Sequence, residues 1–437
     1  MAHLLLLLLG PTFIAISFAL MVQRVEPFAN FFYVCAWYGL IFTFDRLIHR
    51  RQGHSLIGLC GLGFFSLLFW SAVSWYFFEL LNFRLQNWYY VFVVDNGALR
   101  LFGTFISFAT VFPGIFWMDH YLTLRGTCGQ GRGRALRFSP KSLYLLQVAG
   151  LLFLALPMLW PTYFFPLVWG GVILLLAPLN YRRGIDGLLR QFERGDYGPT
   201  LRLLLAGGMA GLLWEFFNFW ARAKWIYTVP YFDQLKLFEM PLAGFIGFPP
   251  FAVECAVIYR LLVWQRLAPA LGSFADQKPG ASGKLGRVAL FLLAASCALL
   301  IDKGIDRFTV MSVTPRLDRV EGLNPRLMAH LQERGVQYLT DLQGRGSTQR
   351  WTELETALGA EHSADLRRVT DLYLHQGIGT KFGNMLVRAG IGSLDQLGDL
   401  SAEEVAERLE AVAADQRLPT LPQIHVWTRR ATANSAD

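Results

Sequence analysis

Two carboxylate–amide pairs stand out in a chain otherwise poor in charge: Glu79 with Asn82, and Glu215 with Asn218. Each pair is spaced by three residues, which sets both side chains on one helix face, and each lies where an apolar run ends. Trp88 and Tyr90 follow the first pair; Arg222, Lys224, Trp225 and Tyr227 follow the second. A carboxyl group can accept hydrogen bonds, hold a cation or move a proton. Facing hydrocarbon it is costly, so these groups should face protein or a water-filled cavity. A plainer reading of the same residues is available. Glu and Asn would cap the backbone of the next loop, while Trp and Tyr form an interfacial aromatic belt.

The elements that carry these groups follow from composition. The chain has 437 residues, of which 54% are apolar and 16% charged, with 36 Phe and 13 Trp; that is low in charge for a soluble protein. A bilayer core needs about 20 mainly apolar residues per helix. Eight such runs occur, at roughly 3–22, 29–48, 55–83, 97–123, 142–160, 162–181, 199–221 and 241–264. The fold class is therefore all-α: a polytopic helical membrane protein of eight or nine transmembrane helices, followed by a small α-helical soluble domain. The opening MAHLLLLLLG lacks the cations of a signal n-region and runs on without a small-residue cleavage site, so it reads as a retained span. Loops after the second, fourth, sixth and eighth runs are rich in Arg and Lys. The positive-inside rule puts them and the N-terminus in the cytoplasm of a cell inner (plasma) membrane. A ninth run, 288–301, is only 14 residues long before Asp302, Lys303, Asp306 and Arg307. It is either re-entrant or completed by FTVMSV, which leaves the side of the tail open. Five scattered cysteines form no C-x-x-C pair and specify no compartment.

An internal repeat divides the membrane part, 1–311. FELLNFRLQNWYY from Phe78 matches WEFFNFWARAKWIY from Trp214: Glu79 and Asn82 fall on Glu215 and Asn218. After a one-residue insertion Trp88 and Tyr90 fall on Trp225 and Tyr227, and Phe112–Pro113 on Pro249–Pro250. Equivalent positions are separated by four spans, an even number. The sequence thus predicts two parallel four-helix repeats, about 1–123 and 142–264, related by a pseudo-twofold along the membrane normal.

Behind the second motif an apolar loop carries Pro230, Asp233, Lys236, Glu239 and Pro241. Prolines interrupt helices, and non-helical backbone at membrane depth survives only inside protein or along a cavity, so this loop is expected to form a lid over a pocket. Glu254 would then lie near mid-membrane, bonded to a neighbouring helix or binding a ligand or proton. Lys224 and Arg222 would hold an anionic head group or snorkel to water. Asp45, His49, Asp119 and His120 are weak metal candidates; they lack the histidine boxes of membrane desaturases, and no metal is assigned. No Walker loop, G-x-S-x-G or prenyltransferase acidic motif is present, so whether the protein is an enzyme stays open and no cofactor is identified.

The tail, 312–437, carries 14 Lys/Arg against 17 Asp/Glu in a chain of net charge +8, so the basic excess belongs to the membrane loops. GLNPRLMAHLQERGVQYLTDL and GIGTKFGNMLVRAGIGSLDQL repeat at an offset of 55, each a helix, a Gly-ended turn and a second short helix, with Ser401 and Glu404 set to cap the last. Over about 320–410 this resembles a tandem helix-hairpin-helix domain, with G-I-G-x-K at Gly377, Gly379 and Lys381; the first copy departs at Asn324. The resemblance implies that Gly377, Gly379, Thr380 and Lys381 can present backbone N–H groups to a nucleic-acid phosphate. An acidic tail argues against nucleic acid and for a protein partner.

The leading expectation is a membrane protein that binds, or binds and modifies, an amphiphile such as a lipid or isoprenoid in an outward-facing pocket between repeats. Its binding candidates are Glu79, Asn82, Trp88, Tyr90, Glu215, Asn218, Arg222, Lys224, Trp225, Tyr227, Glu239 and Glu254. The alternatives are a membrane-anchored scaffold recruiting a partner through its tail, and a secondary transporter coupled to protons through Glu254.

Overall fold

Leucine and phenylalanine runs with few breakers fold as helices, and helices dominate the computed structural model of the chain. It describes residues 2–94, 96–229, 231, 235–280, 283–308, 315–343, 347–375, 377–414 and 416–434. Pro230 and Asp233 of the expected lid, and 309–314 of the expected ninth crossing, lie outside these residues.

The first half comprises α1 (Ala2–Val22), α2 (Phe28–Gln52), α3 (Leu56–Cys60), α4 (Gly63–Leu85), β1 (Trp88–Val91), α5 (Gly97–Phe108) and α6 (Val111–Leu124). The second comprises α7 (Pro140–Leu159), α8 (Pro161–Phe164), α9 (Val168–Arg182), α10 (Leu188–Glu193), α11 (Gly198–Trp220), β2 (Lys224–Tyr227), β3 (Lys236–Leu237), β4 (Met240–Pro241) and α12 (Phe248–Trp264). Then come α13 (Lys284–Phe308) and the tail helices α14 (Pro325–Glu333), α15 (Ser347–Leu358), α16 (Ala360–Leu374), α17 (Gly379–Arg388), α18 (Leu394–Gly398), α19 (Ala402–Val412) and α20 (Leu421–Asn434). Among the described residues eight helical segments are long and apolar enough to cross a membrane, and Leu6–Val22 is a shorter apolar helix.

Several expected spans differ in detail, the run 162–181 among them, which is divided between α8 and α9 by a 3-10 turn at Phe165–Leu167. The run 55–83 is two helices, because Gly61 takes φ +51 and turns α3 away from α4. The run 97–123 breaks at Ala109–Thr110. There Ser71 Oγ donates to Phe108 O (2.9 Å) and accepts from Phe112 N (3.0 Å), satisfying backbone groups that the break releases. The ninth run is longer than its apolar core, a 25-residue helix. Its acidic end is accommodated by partners: Tyr76 Oη donates to Asp302 Oδ1 at 3.0 Å, and Arg100 pairs with Asp306 at 2.5 Å.

A continuous aromatic core joins the halves. Phe251 of α12 packs edge-on against both Phe78 of α4 (5.3 Å between centroids) and Trp169 of α9 (5.6 Å), while Trp37 of α2 meets Trp214 of α11 at 5.5 Å. In the tail, Gly322, Gly335, Gly377 and Gly390 all adopt positive φ, the first two 55 residues before the last two. Asn324 caps α14 through Arg326 N (2.9 Å), and the Ser401–Glu404 capping box is present.

Candidate functional site

The two polar motifs form matching constellations. Glu79, fully buried on α4, accepts at Oε1 from Trp75 Nε1 (3.0 Å), Trp88 Nε1 (3.0 Å) and Tyr90 Oη (2.6 Å). Glu215, equally buried on α11, accepts at Oε1 from Tyr227 Oη (2.7 Å). Asn82 Nδ2 donates to Trp88 O, and Asn218 Nδ2 to Trp225 O, both at 2.9 Å. The asparagines therefore cap the loop backbone, as the plainer reading expects, while the glutamates hold the aromatic N–H and O–H groups. Glu79 Oε2 and Glu215 Oε2 make no hydrogen bond among the described residues.

The strands after these motifs pair with each other. In antiparallel register Trp88 lies opposite Tyr227, Tyr89 opposite Ile226, Tyr90 opposite Trp225 and Val91 opposite Lys224. Side chains alternate across a sheet, and the two faces have separate occupants. Trp88, Tyr90, Trp225 and Tyr227 line a cavity of about 200 Å³ on one face. Tyr89, Val91 and Ile226 on the other join the core of the tail, against Ile378, Phe382 and Trp427.

The cavity lies between the halves. Trp88 of the first half packs on Trp169 of the second (6.3 Å), and Trp225 of the second meets Tyr33 of the first edge-on (5.3 Å). Met240, Gly244 and Gly247 of the loop expected to be a lid contribute to its wall, as do Phe248 and Phe251 at the start of α12. Burial, followed by the adjacent glutamate, pushes the Tyr90 and Tyr227 phenols well above their ordinary value of 10.0, so each keeps the proton it donates.

Of the residues anticipated from sequence, Trp88, Tyr90, Lys224, Trp225 and Tyr227 reach the cavity. Glu79, Asn82, Glu215 and Asn218 stand behind its wall. Glu239 is bound between Lys224 (3.5 Å) and Arg430 of α20, and burial pulls the Lys224 ammonium down while Glu239 opposes the shift. Arg222 and Glu254 lie outside the lining. Glu254 Oε1 accepts from Val172 N of α9 at 3.0 Å, the neighbouring-helix bond that was one of its two readings.

Trp75, Trp169, Trp214, Arg100 and Asp302 also line the cavity, and sequence reasoning missed them. Four of the five sit inside long helical runs, where a polar or aromatic residue has no local signal of facing a void; Arg100 opens such a run without any signal either.

The weak metal set is committed elsewhere. Asp45 Oδ1 accepts from Ile57 N and Trp117 Nε1, Asp119 pairs with Arg202 at 2.9 Å, and His120 Nε2 meets Gln52 Oε1 at 2.8 Å. No group of three or more metal-ligating side chains is formed among the described residues.

In the tail, the hairpin residues Gly377, Gly379 and Thr380 are buried, and Lys381 is exposed. Gly377 lies so close to the sheet that an added Cβ would stand 2.2 Å from Tyr89 Oη and 2.8 Å from Trp427 Nε1. Arg24, between α1 and α2, donates to Thr340 O (3.2 Å) and Gln343 Oε1 (3.3 Å), a further tie between the tail and the helices that precede it.

Residues 321–434 match the family model described as a domain of unknown function, DUF4332. The DUF4332 match covers the docked tail and none of the helices around the cavity. No curated protein and no solved structure matches the chain.

Proposed function

We propose that the protein is an integral membrane protein that binds an amphiphilic molecule, of the lipid or isoprenoid kind, in the cavity between two repeats. One observation carries this reading. The four aromatic residues that the internal repeat pairs, Trp88 with Trp225 and Tyr90 with Tyr227, all line a single cavity. Their register is what an isologous pair of equivalent strands produces: each Trp lies opposite the other copy's Tyr, with Tyr89 and Ile226 at the centre. Largely apolar walls with a few placed polar groups are the usual make-up of a small-molecule site.

In this reading α13 carries the chain from the basic-loop side to the cavity side, so the tail, with its helix-hairpin-helix-like repeats, sits outside with the mouth. Its glycine hairpin docks on the protein's own sheet instead of on nucleic acid. The partner of the tail is then, first of all, the roof of the cavity, which weighs against a scaffold that offers this hairpin to another molecule.

The test is mass spectrometry of lipid extracts from protein purified in mild detergent, comparing wild type with Thr104→Trp, which fills the cavity from α5, and with Leu62→Trp on an exposed surface. One amphiphile enriched over bulk membrane lipid in wild type and Leu62→Trp, and lost in Thr104→Trp, is expected. Equal lipid profiles in all three would overturn the reading.

A further inference from the structure

Resting on that reading of the cavity, we propose that it selects an amphiphile with an ammonium head group over one with a phosphate or carboxylate head. The argument is a count of what the lining still has to offer. A phenol has one hydrogen to donate. Tyr90 gives its own to Glu79 and Tyr227 gives its own to Glu215, so at both positions only oxygen lone pairs are left for a ligand. Asp302, a third acceptor in the lining, takes the Tyr76 hydroxyl and makes no ion pair among the described residues.

The cations in the wall are already engaged. Arg100 donates to Val94 O (3.1 Å) and pairs with Asp306; Lys224 donates to Phe219 O (2.5 Å) and pairs with Glu239. An anionic head entering here would have to share one of them with a carboxylate already paired to it, while facing the lone pairs of the tyrosines. Trp214 does bring an indole N–H with no partner among the described residues, and Asn87 and Thr104 add an amide and a hydroxyl to the lining, but scattered neutral donors do not offset an anion's lost hydration as an unpaired cation would. An ammonium head meets the opposite situation: acceptors at Tyr90, Tyr227 and Asp302, and the indoles of Trp75, Trp88 and Trp169 in the lining. Their centroids follow one another at 6.0 and 6.3 Å, and an indole attracts a cation placed over its ring.

The experiment uses the full chain in detergent and single-chain amphiphiles of equal length bearing an ammonium, a hydroxyl or a phosphate head, with binding read by native mass spectrometry and by tryptophan fluorescence. The ammonium compound should bind at least about tenfold more tightly than either of the others, a preference worth about 1.4 kcal/mol. Asp302→Asn and the double change Tyr90→Phe with Tyr227→Phe should each reduce that preference severalfold while leaving the affinity for the hydroxyl compound nearly unchanged. Equal binding of ammonium and phosphate, or of ammonium and hydroxyl, overturns the head-group assignment and leaves the amphiphile site standing. Failure of all three to bind overturns both. The comparison of heads on wild-type protein decides the matter even where a variant does not fold.

Discussion

Tyr89 and Ile226 face each other at the centre of the two-stranded sheet, and both turn away from the cavity into the core of the tail. Their sequence neighbours Trp88, Tyr90, Trp225 and Tyr227 turn the other way and line the cavity. One small sheet is thus shared by two compartments. Two strands alone are marginally stable, so the tail that covers the outer face also supports the roof within.

Gly377 makes that support testable. It holds φ +94, and a side chain there would collide with Tyr89 and Trp427. Gly335 holds a similar φ of +75, but nothing lies within 4 Å of where its Cβ would be. Both Gly377→Ala and Gly335→Ala should incur about 1–2 kcal/mol of backbone strain. Only Gly377→Ala should raise hydrogen exchange in residues 88–91 and 224–227 and expose the tail to proteolysis. Equal protection of the sheet in both variants would show that the hairpin does not hold it.

Glu79 gathers three donors at one oxygen, so the kind of replacement matters more than the loss of charge. Glu79→Leu leaves the N–H groups of Trp75 and Trp88 and the O–H of Tyr90 without their acceptor, at about 1–3 kcal/mol for each group left unsatisfied. Glu79→Gln keeps an acceptor oxygen in place. A lowering of the thermal midpoint by the leucine variant several times that of the glutamine variant is expected in detergent. Matching midpoints would mean that the carboxyl does not organise these side chains.

His375 sets a pH limit on the tail. Burial pulls its imidazole down to about 4, against a smaller opposing pull from the Trp427 carbonyl, which Nε2 meets at 3.1 Å. Because the folded value lies below the unfolded value of 6.5, the unfolded chain binds the extra proton. Stability is therefore full above about pH 6.5 and falls as the pH drops towards 4, by about 3 kcal/mol in all. The tail of wild type should loosen across that window, as read by Trp427 fluorescence or hydrogen exchange, and His375→Gln should flatten the response. An unchanged slope in the variant would assign the acid sensitivity to other groups.

Much of the architecture is written locally. Runs of about 20 apolar residues set the long helices, and glycines at fixed offsets set the turns of the tail. The spacing of Glu79–Asn82 and Glu215–Asn218, each followed by Trp and Tyr, marks the groups around the cavity. These are properties of short windows, because helix length, capping and turn conformation depend on neighbours in the chain. The ninth helix shows where a window fails. Asp302 and Asp306 end its apolar run, yet the helix continues, because Tyr76 and Arg100 from distant parts of the sequence accommodate the two carboxyls.

By itself, then, the sequence determined an all-helical chain with apolar runs long enough to cross a membrane, two similar polar motifs and a separate acidic tail. Only the tertiary structure decided that the two motifs meet in one sheet, that the glutamates stand behind the cavity wall instead of in it, and that the glycine hairpin is buried against Tyr89. The reason is that pairing of charges, satisfaction of donors and burial of a hairpin are fixed by groups brought together through space, which no local pattern of residues records.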